Sequence, residues 1–274
     1  MSTEQITDFR QIVWEYYGQN GRHQLPWRVA GADGHFDPYM ILLSELMLQQ
    51  TQVNRVLPKY QLFLELFPTV EVLADASLAA VLTAWSGLGY NRRAKFLHQT
   101  AKMIMQQFAG VFPDTQAELV KLPGVGKNTA GAILAYAFNK PVVFVETNIR
   151  TVYFYHFFPG REAVTDGEVV QLVGETLDQD NPREWYWALM DYGSWLKGSG
   201  TKLSMLSKHY IKQSKFEGSK RQIRGQIIRL LALQDLSLAE FEPQIPDSRL
   251  ASVLTDLISE GLIAKTNQKY HLTN

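Results

Sequence analysis

The sequence predicts an all-α protein with room for two domains, ending in a small module of helices and a hairpin. Three observations carry this. Apolar residues recur at helical spacing through most of the first 196 residues, a glycine-rich turn at 122–126 separates two helical patterns, and a hairpin pattern closes the chain. With 274 residues and 46% apolar content the chain can fill real cores. No run of eighteen apolar residues occurs, which argues against a membrane span. The count of zero Cys excludes disulfides and thiolate metal sites. A cytoplasmic location is the expectation.

The first residues carry acidic side chains early and place Ile6, Phe9, Val13 and Tyr16 on one helical face, which reads as an amphipathic helix and not as a secretory signal. Residues 21–28 (GRHQLPWR) leave that helix for a Gly/Asp-rich loop closed by Pro38. Tyr39 to Val53 is then helical by period and mostly apolar, so Glu45 inside it is costly without a purpose or a partner. Residues 55–108 continue as short helices, interrupted at GLGYNRRAKFL. After 141–146 comes the aromatic run TVYFYHFFPG, read as core, and residues 166–196 give two more helices. From Ser219 three helices and a hairpin around Thr266, Asn267 and Gln268 resemble a winged helix.

Two features point to a polyanion. In Leu122-Pro123-Gly124-Val125-Gly126 the glycines let the backbone approach a partner closely, and the helix that follows, through Lys127, Asn128 and Thr129, offers N–H groups that bind an anion without reading sequence. An ordinary helix-helix turn is the alternative. Net charge is zero, yet residues 197–230 hold nine Lys/Arg against one Asp/Glu. That strip is a candidate phosphate-facing surface, or else a solvated linker face.

The run LPGVGKNTAGAILAYAFNKP resembles the helix-hairpin-helix element of the base-excision DNA glycosylases related to endonuclease III and the MutY-type adenine glycosylases. LPWR, DPY and SELMLQQTQV resemble the adenine-glycosylase signature in the same order. The resemblance covers about residues 20–196 and implies a two-lobed helical glycosylase fold, with 29–140 as a helical barrel lobe with the hairpin and 1–28 and 141–216 as the second lobe; the resemblance ends near Ser219, and 217–274 is expected from its own pattern as an added winged-helix-like domain. It makes Glu45 the acid that protonates the leaving base and makes Gln49, Gln50 and Gln52 contacts to the opened duplex. Tyr90 becomes a minor-groove wedge, with Arg92 and Arg93 gripping the backbone. It also suggests a monovalent cation at the hairpin carbonyls of Leu122 and Val125.

Two departures stand out. The family's catalytic aspartate, in V-D-T-N or L-D-G-N, is replaced by Glu146 in Val145-Glu146-Thr147-Asn148, with Asn148 expected near the sugar. The four cysteines that hold a [4Fe-4S] cluster correspond to Lys197, Ser204, Ser207 and Gln213, so no cofactor is expected. Bifunctional relatives carry a lysine nucleophile at the position of Asn128, and an amide forms no Schiff base. The expected function is monofunctional release of adenine or another purine from double-stranded DNA carrying a lesion or mismatch, by a monomer acting at the nucleoid. A catalytically lapsed or altered protein that binds damaged duplex without removing a base is the alternative. His156 and Asp191 are read as packing and structural residues.

Overall fold

The computed structural model describes residues 2–161, 163–200 and 215–274. Helices run in the order α1 (Thr3–Asn20), a 3-10 turn (Pro26–Arg28), α2 (Pro38–Leu48), α3 (Val53–Leu66), α4 (Val70–Asp75), α5 (Leu78–Trp85), α6 (Arg92–Phe108), α7 (Gln116–Leu119), α8 (Lys127–Tyr136), α9 (Thr147–Phe157), α10 (Asp166–Thr176) and α11 (Pro182–Gly198). The C-terminal segment adds α12 (Lys220–Leu231), β1 (Leu236–Ser237), α13 (Leu238–Phe241), α14 (Leu250–Ser259), β2 (Ile263–Thr266) and β3 (Lys269–Leu272). Contacts divide the chain into two compact units. One is Met1–Leu42 with Asp114–Lys121 and Val125–Lys212; the other is Leu43–Pro113 with Leu122–Gly124 and Gln213–Asn274. The chain passes between them inside α2 and again at the hairpin, and residues 213–274 cluster with 43–113.

In the first unit α11 is the central element, with α1, α8 and α9 packed on it. α1 opens with a capping box, Ser2 accepting from the Gln5 N–H and the Gln5 side chain accepting from the Ser2 N–H. Its buried stripe is Phe9, Val13 and Tyr17. Tyr16, expected on that stripe, instead lies against the rings of Tyr192 and Trp195 at 5.0 and 5.5 Å. α9 and α11 meet backbone to backbone: a Cβ on Gly193 would stand 2.1 Å from the Asn148 carbonyl oxygen, so only glycine allows the crossing. The segment before α9 packs closely on α8, since a Cβ on Gly131 would stand 2.6 Å from the Phe144 Cβ.

Asp191, buried in α11, ties the LPWR segment to this core. Its oxygens accept from the Arg28 guanidinium at 2.8 and 2.9 Å and from the Arg22 backbone N–H and Nε, both at 2.7 Å. Burial alone would raise this carboxyl, but Arg28 and Arg22 outweigh it and hold it below the ordinary aspartate value. The expectation of a structural Asp191 agrees with this geometry. His156 is also a packing residue, its Nε2 3.0 Å from the Tyr192 hydroxyl.

In the second unit α4 and α5 pack on α6, and α3 on α5. The C-terminal segment joins them: α12 and β3 touch α5, and α14 packs on α12. Its three strands form an antiparallel sheet of order β1-β3-β2. The β2–β3 turn at Asn267 and Gln268 has φ of 49° and 66°, the left-handed pair a tight two-residue hairpin needs. β1, two residues long, goes beyond the helices and hairpin read from the sequence. The third helix of this segment begins at Leu250, and Asp247 ahead of it accepts from the Arg249 N–H at 2.9 Å.

Candidate functional site

Glu146 is the N-cap residue of α9. Its backbone is extended (φ −113°, ψ −178°), and Oε1 accepts from the Asn148 and Ile149 N–H groups at 2.5 and 2.9 Å. A glutamate thus does here what a shorter Asp or Ser does at most helix starts. Burial pushes its carboxyl above the ordinary glutamate range, against the pull of the two capping N–H groups and of the Lys197 charge. Both capping bonds converge on one oxygen. The geometry therefore fixes the carboxylate through its backbone while leaving Oε2 outside the cap.

Asn148, Lys197 and Asn128 are joined at the Glu146 turn by hydrogen bonds. Asn148 Oδ1 accepts from Lys197 Nζ at 3.1 Å, and its Nδ2 faces the Met190 sulfur at 3.9 Å, a weak acceptor that a sugar or phosphate oxygen would outcompete. Asn128 Nδ2 donates to the Val145 carbonyl at 2.7 Å. The amide at the position of the family's lysine thus stitches the hairpin helix to the Glu146 turn, a role that spacing alone does not reveal.

The hairpin conforms to its glycines. Gly124 has φ +77°, and a Cβ there would stand 2.9 Å from the Phe96 Cβ. α8 begins after Gly126 with no side-chain cap, and Gly126, Lys127 and Asn128 are exposed. Its first N–H groups are thus offered outward, as an anion would require. Leu122 and Val125 are buried and anchor the turn.

In the second unit Glu45 stands half-buried on α2 between the buried Ser44 and Leu46. The helix read as running to Val53 stops at Leu48, and the chain turns through Gln49, Gln50 and Thr51, with Gln50 at φ +56°. Arg93 accompanies the break. It is 6% exposed, and its guanidinium donates to the carbonyls of Leu46, Met47 and Gln49 at 2.6, 3.0 and 2.6 Å, to that of Gly89 at 3.0 Å and to Thr51 Oγ1 at 3.2 Å. Those carbonyls are the ones a helix end leaves unpaired. Burial pulls the Arg93 guanidinium down to about 10. The expected pair of backbone-gripping arginines therefore divides: Arg92 is exposed, and Arg93 is built into the turn that carries the glutamines.

This unit has a groove of about 860 Å³. Gln49, Gln50, Gln52, Tyr90, Arg92 and Arg93 are among its lining residues, and Glu45 is not. Residues of α12, part of the basic strip at 197–230, also line it. Tyr90 sits in left-handed backbone at φ +49°, between the GLGY glycines and α6.

The donor set does not fit a [4Fe-4S] cluster. The chain has no cysteine, and Lys197, at the first of the four matching positions, ends α11 and donates to Asn148. Ser204, Ser207 and Gln213 lie outside the described residues. Among the described residues no group of three or more His, Cys, Asp or Glu is placed to hold a metal ion. Nor, among them, is any helix long and apolar enough to cross a membrane.

A family model described as HhH-GPD superfamily base excision DNA repair protein matches residues 43–173. An adenine DNA glycosylase of Buchnera aphidicola subsp. Baizongia pistaciae is 37% identical over 190 residues, covering 68% of this chain and 52% of its own length. One from Mycolicibacterium smegmatis is 30% identical over 274 residues, covering 90% of both. This chain thus spans about half the length of the former relative and nine tenths of the latter. Among solved structures, a thermostable thymine-DNA glycosylase superposes with a TM-score of 0.60 at 22% identity, over 76% of this chain and 97% of that one. A trapped endonuclease III–DNA covalent intermediate gives 0.59 at 17% identity, over 76% and 96%. At such identities the structural likeness concerns the fold alone.

Proposed function

Because the chain belongs to the HhH-GPD superfamily of base excision DNA repair proteins, we propose that it is a DNA N-glycosylase that extrudes adenine from a mispair and hydrolyses its glycosidic bond. One observation carries the reading. The Asn128–Val145 bond joins the uncapped start of α8, which would grip a phosphate, to the turn that fixes Glu146. Backbone grip and sugar-facing carboxylate thus belong to one connected piece of the first unit. The choice of adenine rests on the relatives named adenine DNA glycosylase.

The bond breaks through an oxocarbenium-like state, which calls for an acid at the leaving base and an anion beside the sugar. Glu45 supplies the proton. Glu146, ionised, stabilises the developing cation through Oε2, and Asn148 Nδ2 bonds to a sugar or phosphate oxygen. Asn128 holds the Val145 carbonyl and offers no amine, so strand cleavage through a Schiff base is absent and the enzyme is monofunctional. No cluster takes part, and the protein works as a monomer wherever duplex DNA is found.

The test is mass spectrometry of bases freed from a panel of lesion and mismatch duplexes. Adenine should appear, Glu45→Gln and Glu146→Gln should each abolish release while duplex binding persists, and borohydride should trap no covalent complex. Release that survived both substitutions would remove the assigned roles. The Glu146 departure favours a second reading, a damage-binding protein without chemistry; salt-sensitive binding with no base freed from any duplex would select it.

A further inference from the structure

The C-terminal segment carries a surface that the base-excision reading leaves without a role. In a winged helix the third helix is the usual groove reader. Here α14 exposes Ala251, Ser252, Thr255 and Ser259, with no Lys or Arg among its ten residues. Its end is acidic, Asp256 lying 3.5 Å from Lys220 and Glu260 pairing with Arg224. Such a face offers a phosphate no cation of its own. α12 is the opposite: its Arg221, Arg224 and Arg229 line the same groove as the Gln49–Gln52 turn and Tyr90. The groove wall holds six arginines, Arg55, Arg92, Arg93 and these three, against one carboxylate, Glu260.

Arg221 also touches Tyr90, another lining residue of the groove. Its Nη1 donates to the Tyr90 hydroxyl at 2.9 Å, and its guanidinium stands 5.8 Å from the Tyr90 ring and 6.0 Å from that of the exposed Phe216. Tyr90 occupies left-handed backbone, which is unfavourable for a non-glycine residue, so its position needs support from outside the turn. Arg93 supports the ring at 5.3 Å and Arg221 anchors the hydroxyl.

We propose that the C-terminal segment binds duplex DNA through its first helix, α12, whose arginines form one wall of the groove, and that Arg221 is a positioning residue holding Tyr90 for entry into the base stack. The proposal rests on the base-excision reading for Tyr90 as the inserting ring. Arg229, exposed on the same wall, contacts a phosphate directly. Arg224, paired with Glu260, keeps α12 against α14.

The full chain tests this with a fluorescently labelled undamaged duplex, titrated at several NaCl concentrations. Wild type should bind with a steep salt dependence, and Arg229→Gln should lower the slope of log affinity against log salt by about 0.9, the value of one phosphate contact. A duplex with 2-aminopurine beside a mismatch then reports unstacking. Arg221→Gln and Tyr90→Phe should each reduce the fluorescence rise several-fold, and the double variant should lose no more than Arg221→Gln alone, because both remove the same contact. Arg221→Lys should keep the wild-type salt slope yet lose the unstacking signal. Wild-type binding with an unchanged slope in Arg229→Gln, or additive losses in the Tyr90/Arg221 pair, would overturn the proposal while leaving the glycosylase reading intact. A wild type that bound no duplex at all would remove both.

Discussion

Glu146 and Tyr90 both stand at the entry to a helix, in different units, and they are held in opposite ways. Glu146 lies in relaxed extended backbone and caps α9 with its own side chain, while Gly193 brings α11 against the Asn148 carbonyl just beyond it. Tyr90 lies in left-handed backbone and is held through its ring and hydroxyl by Arg93 and Arg221, the latter 131 residues away in the chain. On the proposed reading, the carboxylate meant to meet one atom of a sugar is fixed by main chain, which few neighbouring substitutions disturb. The ring proposed to enter and leave a base stack is fixed by side chains, which a competing ligand can replace. Substitutions near Glu146 should therefore change chemistry or global stability separately, whereas substitutions near Tyr90 should change several properties together.

The largest expected effect tests whether the Glu146 turn is independent of the ion pairs beneath it. Asp191→Asn leaves Arg28 buried without a charged partner, and losing one partner of such a pair costs about 3–5 kcal/mol of unfolding free energy, measurable by urea titration. Base release per folded molecule should stay within a few-fold of wild type. A much larger loss would mean that the main-chain hold is not self-sufficient. Glu146→Asp comes next. Aspartate is a good N-cap, so stability should hold, but a carboxylate withdrawn by about one C–C bond misses its position. Single-turnover release should fall about 100-fold, or about 2.7 kcal/mol of barrier. An increase instead would mean that the cleft still suits the family's shorter side chain.

Arg93→Lys tests the other region. An ammonium cannot satisfy the carbonyls that the guanidinium fork serves, and leaving buried carbonyls unpaired costs about 1–3 kcal/mol. The salt slope of DNA binding should be unchanged by this substitution, because Arg93 faces carbonyls, whereas Arg92→Gln should reduce the slope by about 0.9. A slope reduced equally by both would restore Arg93 as a phosphate contact.

How much was legible in the sequence follows the same division. The periodic elements were plain, because apolar spacing at Phe9, Val13, Tyr60, Phe63 and Trp85 survives folding unchanged. The Glu146–Asn148 turn could be located because its partners lie close in sequence: the cap is two and three residues away, and Asn128 is eighteen before Glu146. What could not be read depends on distant side chains. The helix containing Glu45 has no breaker between Leu48 and Gln52, and its stop is matched by Arg93, more than forty residues on. Adjacent arginines at 92 and 93 look alike as letters, yet one turns inward and one outward along a helix. The tie from Arg221 to Tyr90 leaves no local pattern either, and the basic composition of residues 197–230 was its only signal.

The smallest expected effect is also the most direct measure of how Glu146 is held. Its folded-state carboxyl titrates above the ordinary glutamate value of 4.5, chiefly through burial. Below about pH 4 the side chain is protonated in folded and unfolded chains alike, and its ionisation costs the fold nothing. As pH rises through the raised value, the folded protein must ionise a buried group that the unfolded chain ionises more easily, so stability is lost and then levels off. Glu146→Gln keeps an oxygen for the Asn148 and Ile149 N–H groups but never ionises. Its melting temperature should match wild type near pH 4 and exceed it at pH 7–8, each kcal/mol of difference appearing as about 2–4 °C in a chain of this size. The excess would be the stability that the native chain forgoes to keep an anion at the start of α9. A Gln variant that melts lower than wild type at pH 8 would mean that the Asn148 and Ile149 donors and Lys197 outweigh burial, so that the carboxylate stabilises the fold.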